Sequence, residues 1–520
     1  MSSITQQEAL ETGMTLAYFA AQRPNKMALV TEHGDRTWQE LNGRVNQLAR
    51  LLRSHGIGTG DAIALVMKNR PEFVEGYQAA NRIGVRFTPA NFHLTAEEVG
   101  YVIDNCEAKA VLYDASLASA AEAVKFAPNC TLRLAIGGSI AGFVDYENAL
   151  KDFDNSNIEH PSRGGSMLYT SGTTGRPKGV FRKPGPLPPP TATQTAASYI
   201  PETDMNLCTG PAYHAAPLAF NVIGPLTAGV GVVMMDKWDA EQTLALIEKY
   251  KITHTHMVAT MFHRIVSLSE DMRRKYNLSS LRYLLHGAAP TPVHLKRSII
   301  DWLGPIVFEY YAATEGGGGY FIDSPTWLAK PGSVGRSPQP ENTRVMDDEG
   351  NDVAQGNVGF LYFRAPEVGR FEYFKSPEKT GESYRGAWFT LGDMGYLDNE
   401  GFLFLTGRSA ETIISGGVNI YPQEIDNELL KHPAVQDVCT VGVPNEEWGE
   451  EVKSVVQLNA GFVGSAALSQ EIIDFARARL PGFKTPRSID FQTQLPRMPS
   501  GKIQRRLVRT PYWAGRTKQI

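Results

Sequence analysis

Ala62-Ile63-Ala64-Leu65-Val66-Met67 is an uninterrupted apolar run, with glycines at Gly56 to Gly60 before it and Pro71 after it. A run this short and without polar alternation is the pattern of a strand buried on both faces, as in parallel sheets covered by helices. The flanks agree. Upstream, Thr37-Trp38-Gln39-Glu40 has the spacing of a capping box, and Leu41, Val45, Leu48 and Leu52 then recur at helical intervals. Downstream, Pro71 opens a second helical stretch and Val85-Arg86-Phe87-Thr88 reads as the next strand. Thr95-Ala96-Glu97-Glu98 repeats the capping signal, and Ala110-Val111-Leu112-Tyr113 returns to strand. Strands alternating with helices of this length predict an α/β fold.

A chain of 520 residues exceeds one core and implies roughly two to four domains. Pro184 to Pro190 (PGPLPPP) can hold neither a helix nor a central strand and reads as a surface excursion. Beyond Asp393 the pattern changes to short strand-like pieces, Gly407, the pair Gly416-Gly417 and a βαβ-like ending. The expected division is therefore 1–407, a large part of helix-covered sheets, and 408–520, a small α+β domain. The hydrophobic content of 42% and charged content of 20% are those of a globular chain. A net charge of −4 argues against nucleic acid and anionic membranes as partners. No apolar run approaches the roughly 20 residues of a bilayer span, and MSSITQQEALETG lacks the basic and apolar regions of a signal peptide. Cys106, Cys130, Cys208 and Cys439 form no CxxC and read as reduced thiols. The expected compartment is cytoplasmic. Oligomeric state stays open, a homodimer included.

The richest local signal for chemistry is Leu168-Tyr169-Thr170-Ser171-Gly172-Thr173-Thr174-Gly175-Arg176-Pro177-Lys178-Gly179. Glycines open backbone N–H groups to an anion, hydroxyl side chains add donors, and Lys178 supplies a point charge for phosphate. It is not a Walker A loop, because Gly179 stands where Ser or Thr would follow the lysine. Taken alone, such a string is as compatible with a flexible polar turn.

With four further motifs in order, the string resembles the adenylate-forming superfamily of acyl-CoA synthetases, luciferases and peptide-synthetase adenylation domains. These motifs are Tyr311-Ala312-Ala313-Thr314-Glu315, Trp388-Phe389-Thr390-Leu391-Gly392-Asp393, Gly407-Arg408 with Ile413-Ile414-Ser415-Gly416-Gly417, and Pro499-Ser500-Gly501-Lys502. The resemblance covers nearly the whole chain. It implies ATP, Mg²⁺ and coenzyme A as cofactor and co-substrates, with catalytic roles for Lys502, Glu315 and Thr314. Glu315 would hold the metal, as a hard carboxylate beside phosphate oxygens can. Thr170, Ser171, Gly172, Thr173, Thr174, Gly175 and Lys178 would hold the phosphates. Tyr311 would stack on adenine with Gly287, Ala288 and Ala289 over its other face, and Ala312 beside it. Asp393 would accept from the ribose hydroxyls and Arg408 reinforce it. Lys502, which by spacing alone belongs to a basic face of Arg497, Arg505 and Arg506, would bridge carboxylate and phosphate. The family's small domain is a mobile lid, which puts a hinge at Ala410 and Gly416 and Gly417 at the CoA site. The chain departs from the pattern at Leu391, at Ala312, and at Ala410, where relatives often carry Asp or Lys.

His214, in Tyr213-His214-Ala215-Ala216-Pro217, together with Phe220 and Ala312, is expected to line the acyl site. The apolar runs Pro217 to Phe220 and Met257 to Phe262 favour a hydrophobic acid, although core packing explains them equally. The resemblance is to fatty-, bile- or steroid-acid CoA ligases. The expected function is an ATP-dependent acid:CoA ligase that forms an acyl-adenylate and releases AMP and pyrophosphate. The alternatives are delivery to a separate carrier protein, or a non-catalytic acyl- or nucleotide-binding regulator.

Overall fold

The computed structural model describes residues 4–170, 177–183, 185, 187, 190–498 and 501–514. The decisive run is strand Ala62–Val66, buried at every position. Its alternate residues enter different cores: Ile63 and Leu65 join a cluster with Trp38, Leu41, Val45 and Leu48, while Ala64 and Val66 join Val99, Val102 and Ile103. Strand periodicity thus places helix Trp38–Ser54 on one face and helix Ala96–Asn105 on the other. Both helices begin at the expected capping boxes, where Thr37 and Thr95 accept from the N–H of Glu40 and Glu98 and the glutamates reach back. Such caps contribute about 1 kcal/mol each. Helix Pro71–Arg82 starts on its proline.

This six-stranded sheet is parallel throughout, in the order Val144–Asp145, Leu132–Ile136, Ala108–Asp114, Ala62–Val66, Arg86–Pro89 and Gly165–Ser166. A second sheet of eight strands has six parallel strands at its centre: Met27–Thr31, Gly231–Met234, Met205–Cys208, His254–Met257, Tyr283–His286 and Val307–Ala312. Arg36–Thr37 and Gly318–Ile322 close it antiparallel at the two edges. One core, which includes helices Trp38–Ser54 and Pro71–Arg82, joins side chains of both sheets. Two smaller antiparallel sheets follow, one of Phe371–Tyr373, Lys178–Arg182 and Leu168–Thr170, the other containing Trp388–Leu397 and Leu403–Arg408.

Beyond Arg408 comes a 3-10 turn, Ser409–Glu411, and then a mixed sheet of Val418–Ile420, Ile413–Ser415, Gly449–Leu458, Val435–Asn445 and Ser488–Phe491. Helices Pro422–Leu429 and Ala466–Arg477 cover it, and its hydrophobic cluster draws only on residues from Ile413 onward. The short pieces expected after Asp393 are in fact preceded by one ten-residue strand, Trp388–Leu397, that runs through the motif without a break. All four cysteines are buried free thiols. Among the described residues no helix is long and apolar enough to cross a membrane.

Candidate active site

Asp393 and Arg408 are register partners on adjacent antiparallel strands. The cross-strand pairing brings Arg408 Nε to 2.9 Å from Asp393 Oδ1. The Tyr311 phenol, at the carboxyl end of the eight-stranded sheet, donates to Asp393 Oδ2 at 2.7 Å. Both bonds are charge-assisted, and each oxygen keeps lone-pair capacity for a further donor such as a ribose hydroxyl. Burial, and then the Asp393 carboxylate, hold the Tyr311 hydroxyl far above the ordinary tyrosine range, so it remains a donor. The sequence expectation of a stacking Tyr311 and a ribose-binding Asp393 omitted this direct link.

Glu315 sits in the turn between Val307–Ala312 and Gly318–Ile322. Gly316, Gly317, Gly318 and Gly319 all have φ between +72° and +88°, a left-handed path that side chains resist. Two groups outside the motifs address this turn. Arg182 Nη2 donates to the Thr314 carbonyl at 3.2 Å. The Tyr373 hydroxyl donates to Glu315 Oε1 at 3.0 Å, and Lys178 Nζ lies 4.9 Å from the centre of the Tyr373 ring. Thr170 is the strand partner of Lys178, at the edge of the loop whose Ser171, Gly172, Thr173, Thr174 and Gly175 lie outside the described residues. Among the described residues no three metal-ligating side chains cluster. Glu315 presents a single hard carboxylate, a donor of the type that suits Mg²⁺ shared with phosphate oxygens and water.

Lys502 is partly buried. Burial and then Arg408 lower its pKa, while Glu411, Asp393 and Glu315 pull the other way, so the lysine shares its field with the residues just described. Its loop is pinned by Arg497, which binds Asp437 through Nε at 2.9 Å and Nη2 at 2.6 Å and donates to the Gly501 carbonyl at 2.6 Å. Arg505 is buried on Asp426 at 2.9 Å and Glu411 at 3.2 Å. The basic cluster is thus an internal framework more than a solvated face. A Cβ at Gly501 would lie 2.5 Å from Thr260 Oγ1, so the lysine loop rests directly on the amino end of helix Ala259–Val266.

Of the residues expected to line an acyl site, Phe220 rides a seven-residue π-helix, Pro217–Ile223, and packs against Tyr310 at 4.7 Å and His256 at 5.6 Å between ring centres. π-Helical turns are rare and often found at functional sites. Phe220 and His256, with Tyr199 and Tyr283, line a narrow pocket. His214 Nε2 is buried with no hydrogen-bond partner, and burial holds its pKa down to about 4, so it is a neutral ring. The Tyr213 hydroxyl beside it is equally orphaned. Gly287, Ala288 and Ala289 follow strand Tyr283–His286, and Ala288 is held at φ +66°, a strained conformation typical of ligand contacts. Ala312 is exposed at its strand end. The segment Met257 to Phe262 corrects one expectation: Met257, at the end of strand His254–Met257, and Met261 and Phe262, on the face of helix Ala259–Val266 packed against helix Val293–Leu303, are core residues. They do not argue for an acyl chain.

Gly416 and Gly417 form the turn of a hairpin, Ile413–Ser415 with Val418–Ile420, on which the half-exposed Trp448 lies. Ala410 is exposed in the 3-10 turn next to Arg408. The motif residues Thr314, Glu315, Tyr311, Asp393, Arg408 and Lys502 thus converge. Arg182 and Tyr373 were missed: neither belongs to a recognisable string, and only strand pairing brings Tyr373 opposite Val180.

Comparison with known proteins agrees with this geometry. The sequence matches the AMP-binding enzyme family over residues 16–371 and the AMP-binding enzyme C-terminal domain over 424–502. A feruloyl-CoA synthase of Amycolatopsis sp. is 32% identical over 495 residues, covering 94% of this chain and 96% of that one. A long-chain-fatty-acid–CoA ligase of Mycobacterium tuberculosis is 29% identical over 511 residues, covering 96% and 98%. The crystal structure of an anthranilate CoA ligase in complex with anthranoyl-AMP superposes with a TM-score of 0.84 over 96% of this chain and 97% of that one, at 24% identity, a likeness of fold.

Proposed function

The chain belongs to the AMP-binding enzyme family, the adenylate-forming superfamily, and on that footing we propose that it joins a hydrophobic carboxylic acid to coenzyme A. It is an acyl-CoA synthetase, and acid:CoA ligases of this kind use ATP, Mg²⁺ and CoA. The acid's carboxylate attacks the α-phosphorus of ATP and pyrophosphate leaves. The CoA thiol then attacks the acyl carbon and AMP leaves. In this reading Asp393, clamped by Tyr311 and Arg408, accepts from the ribose hydroxyls, and Tyr311 and Gly287 to Ala289 flank adenine. Thr170 and Lys178 receive the phosphates. Lys502 offers its ammonium to the carboxylate and the α-phosphate as negative charge gathers between them. Glu315 would hold Mg²⁺, which when bound would offset charge on the triphosphate. Phe220, with neutral His214 and the exposed Ala312 near the mouth, bounds the acyl pocket. The lid is residues 408–520, turning at Ala410 so that Gly416 and Gly417 replace Lys502 when CoA reacts. We place the reaction in the cytoplasm, where ATP and CoA are held.

The observation that carries the reading is the clamp on Asp393, with Tyr311 at 2.7 Å and Arg408 at 2.9 Å, joined from separate segments that also bring Glu315 and Lys502 into its field. The aromatic lining of the pocket at Phe220, Tyr199, Tyr283 and His256 supports a hydrophobic acid. The test is a panel of acids, short-chain to steroid, assayed for pyrophosphate release with and without CoA. The expected products are AMP and a thioester, dependent on both acid and CoA. ADP as product overturns the mechanism, and turnover with a carrier protein but not with CoA overturns the acceptor. Lys502→Ala should abolish adenylate formation and spare thioester formation from supplied acyl-AMP.

A further inference from the structure

Tyr373 lies on the short strand Phe371–Tyr373, outside every motif and far in sequence from both groups it touches. Its hydroxyl donates to Glu315 Oε1 at 3.0 Å, and its ring faces Lys178 Nζ at 4.9 Å. Two further contacts fix it. Its backbone pairs with Val180, two residues from Lys178, and its N–H donates to Thr380 Oγ1 at 2.9 Å. One rigid side chain therefore sets the distance between a carboxylate and an ammonium that would otherwise attract each other directly. An ion pair between Glu315 and Lys178 would neutralise both groups before a phosphate or a cation arrived. The phenol satisfies the carboxylate with a neutral donor, and the π face satisfies the ammonium without a counter-charge. Neither contact sets a formal counter-charge against the group.

We infer that Tyr373 is a positioning residue that holds Glu315 and Lys178 apart and oriented for the metal–triphosphate during adenylate formation. The inference rests on the acyl-adenylate reading above. The competing role is packing alone, since the ring also meets Phe371 edge-on at 5.4 Å in a buried aromatic cluster. Packing, however, needs only the ring.

Tyr373→Phe keeps the ring and removes the hydroxyl. A lost hydrogen bond to a charged group corresponds to about a ten- to hundred-fold effect. Adenylate formation should show that loss in kcat/KM for ATP. Calorimetric titration of ATP should show that more Mg²⁺ is needed for half-maximal binding. Thioester formation from supplied acyl-AMP and the melting temperature should stay at wild-type values. In a Glu315→Gln background the same substitution should add little, because the bond it removes is already weakened. Equal losses in both half-reactions, no loss in either, or full additivity with Glu315→Gln each overturn the inference. A wild-type protein that forms no adenylate with any acid overturns instead the reading beneath it.

Discussion

Gly501→Ala separates the two half-reactions by a contact visible in the structure. Gly501 has φ +79°, and a Cβ there would stand 2.5 Å from Thr260 Oγ1 and 3.2 Å from Val258 Cγ2. Two penalties follow. Left-handed backbone costs an alanine about 1–2 kcal/mol wherever the loop sits. The overlap costs about 1–3 kcal/mol, and only while the loop is docked on helix Ala259–Val266. At about 1.4 kcal/mol per factor of ten, the overlap alone lowers the docked population about 5- to 150-fold. Since Lys502 is the next residue, adenylate formation should fall by that factor or more, measured as pyrophosphate release. Thioester formation from supplied acyl-AMP should change far less. Thr260→Ala removes the hydroxyl and methyl in the way, so the double variant should recover the overlap part and retain the backbone part. Equal loss in both half-reactions, or no recovery with Thr260→Ala, would refute the argument.

Burial and then Arg408 lower the Lys502 pKa, and the ammonium is the competent form. Adenylate formation should therefore fail on the alkaline side below the ordinary lysine range, while thioester formation from supplied acyl-AMP shows no such limb; coincident pH profiles would contradict it. Gly416 has φ +56°, and its Cβ would meet the Trp448 ring at 2.4 Å. Gly416→Ala should thus depress thioester formation about 5- to 150-fold and spare pyrophosphate release. Full burial holds the His256 pKa down to about 3. The unfolded chain, with an ordinary pKa of about 6.5, binds the proton first, so stability falls as pH drops from about 6.5 towards 3, by at most about 1.4 kcal/mol per pH unit. Urea midpoints between pH 7 and 4 should decline less steeply in His256→Gln, and parallel slopes would exclude the effect.

What the sequence disclosed was local or compact. The capping boxes at Thr37 and Thr95 and the strand Ala62–Val66 are readable because a few neighbouring residues decide them. Asp393, Arg408 and Lys502 could be singled out as candidates because each sits in a short string. Tertiary pairing on both sides keeps Trp388–Leu397 as one strand through the glycine before Asp393. Met257 to Phe262 could not be assigned from hydrophobicity, since core and pocket ask for the same side chains. Tyr373, Arg182 and the Tyr311–Asp393 bond depend on register between segments tens to hundreds of residues apart, which no local pattern encodes.

The strand order of the eight-stranded sheet also bears on how the chain is made. Met27–Thr31 emerges from the ribosome early, yet its parallel neighbour is Gly231–Met234. At about 5–20 residues per second, the roughly two hundred residues between them take on the order of 10–40 s to synthesise. The six-stranded sheet, whose strands lie wholly inside that interval, has time to form first. Through that delay the early strand is paired only with Arg36–Thr37, leaving one edge open. An open edge is a template for association with other chains. The nascent polypeptide is therefore most exposed to aggregation, and most in need of chaperones, midway through translation.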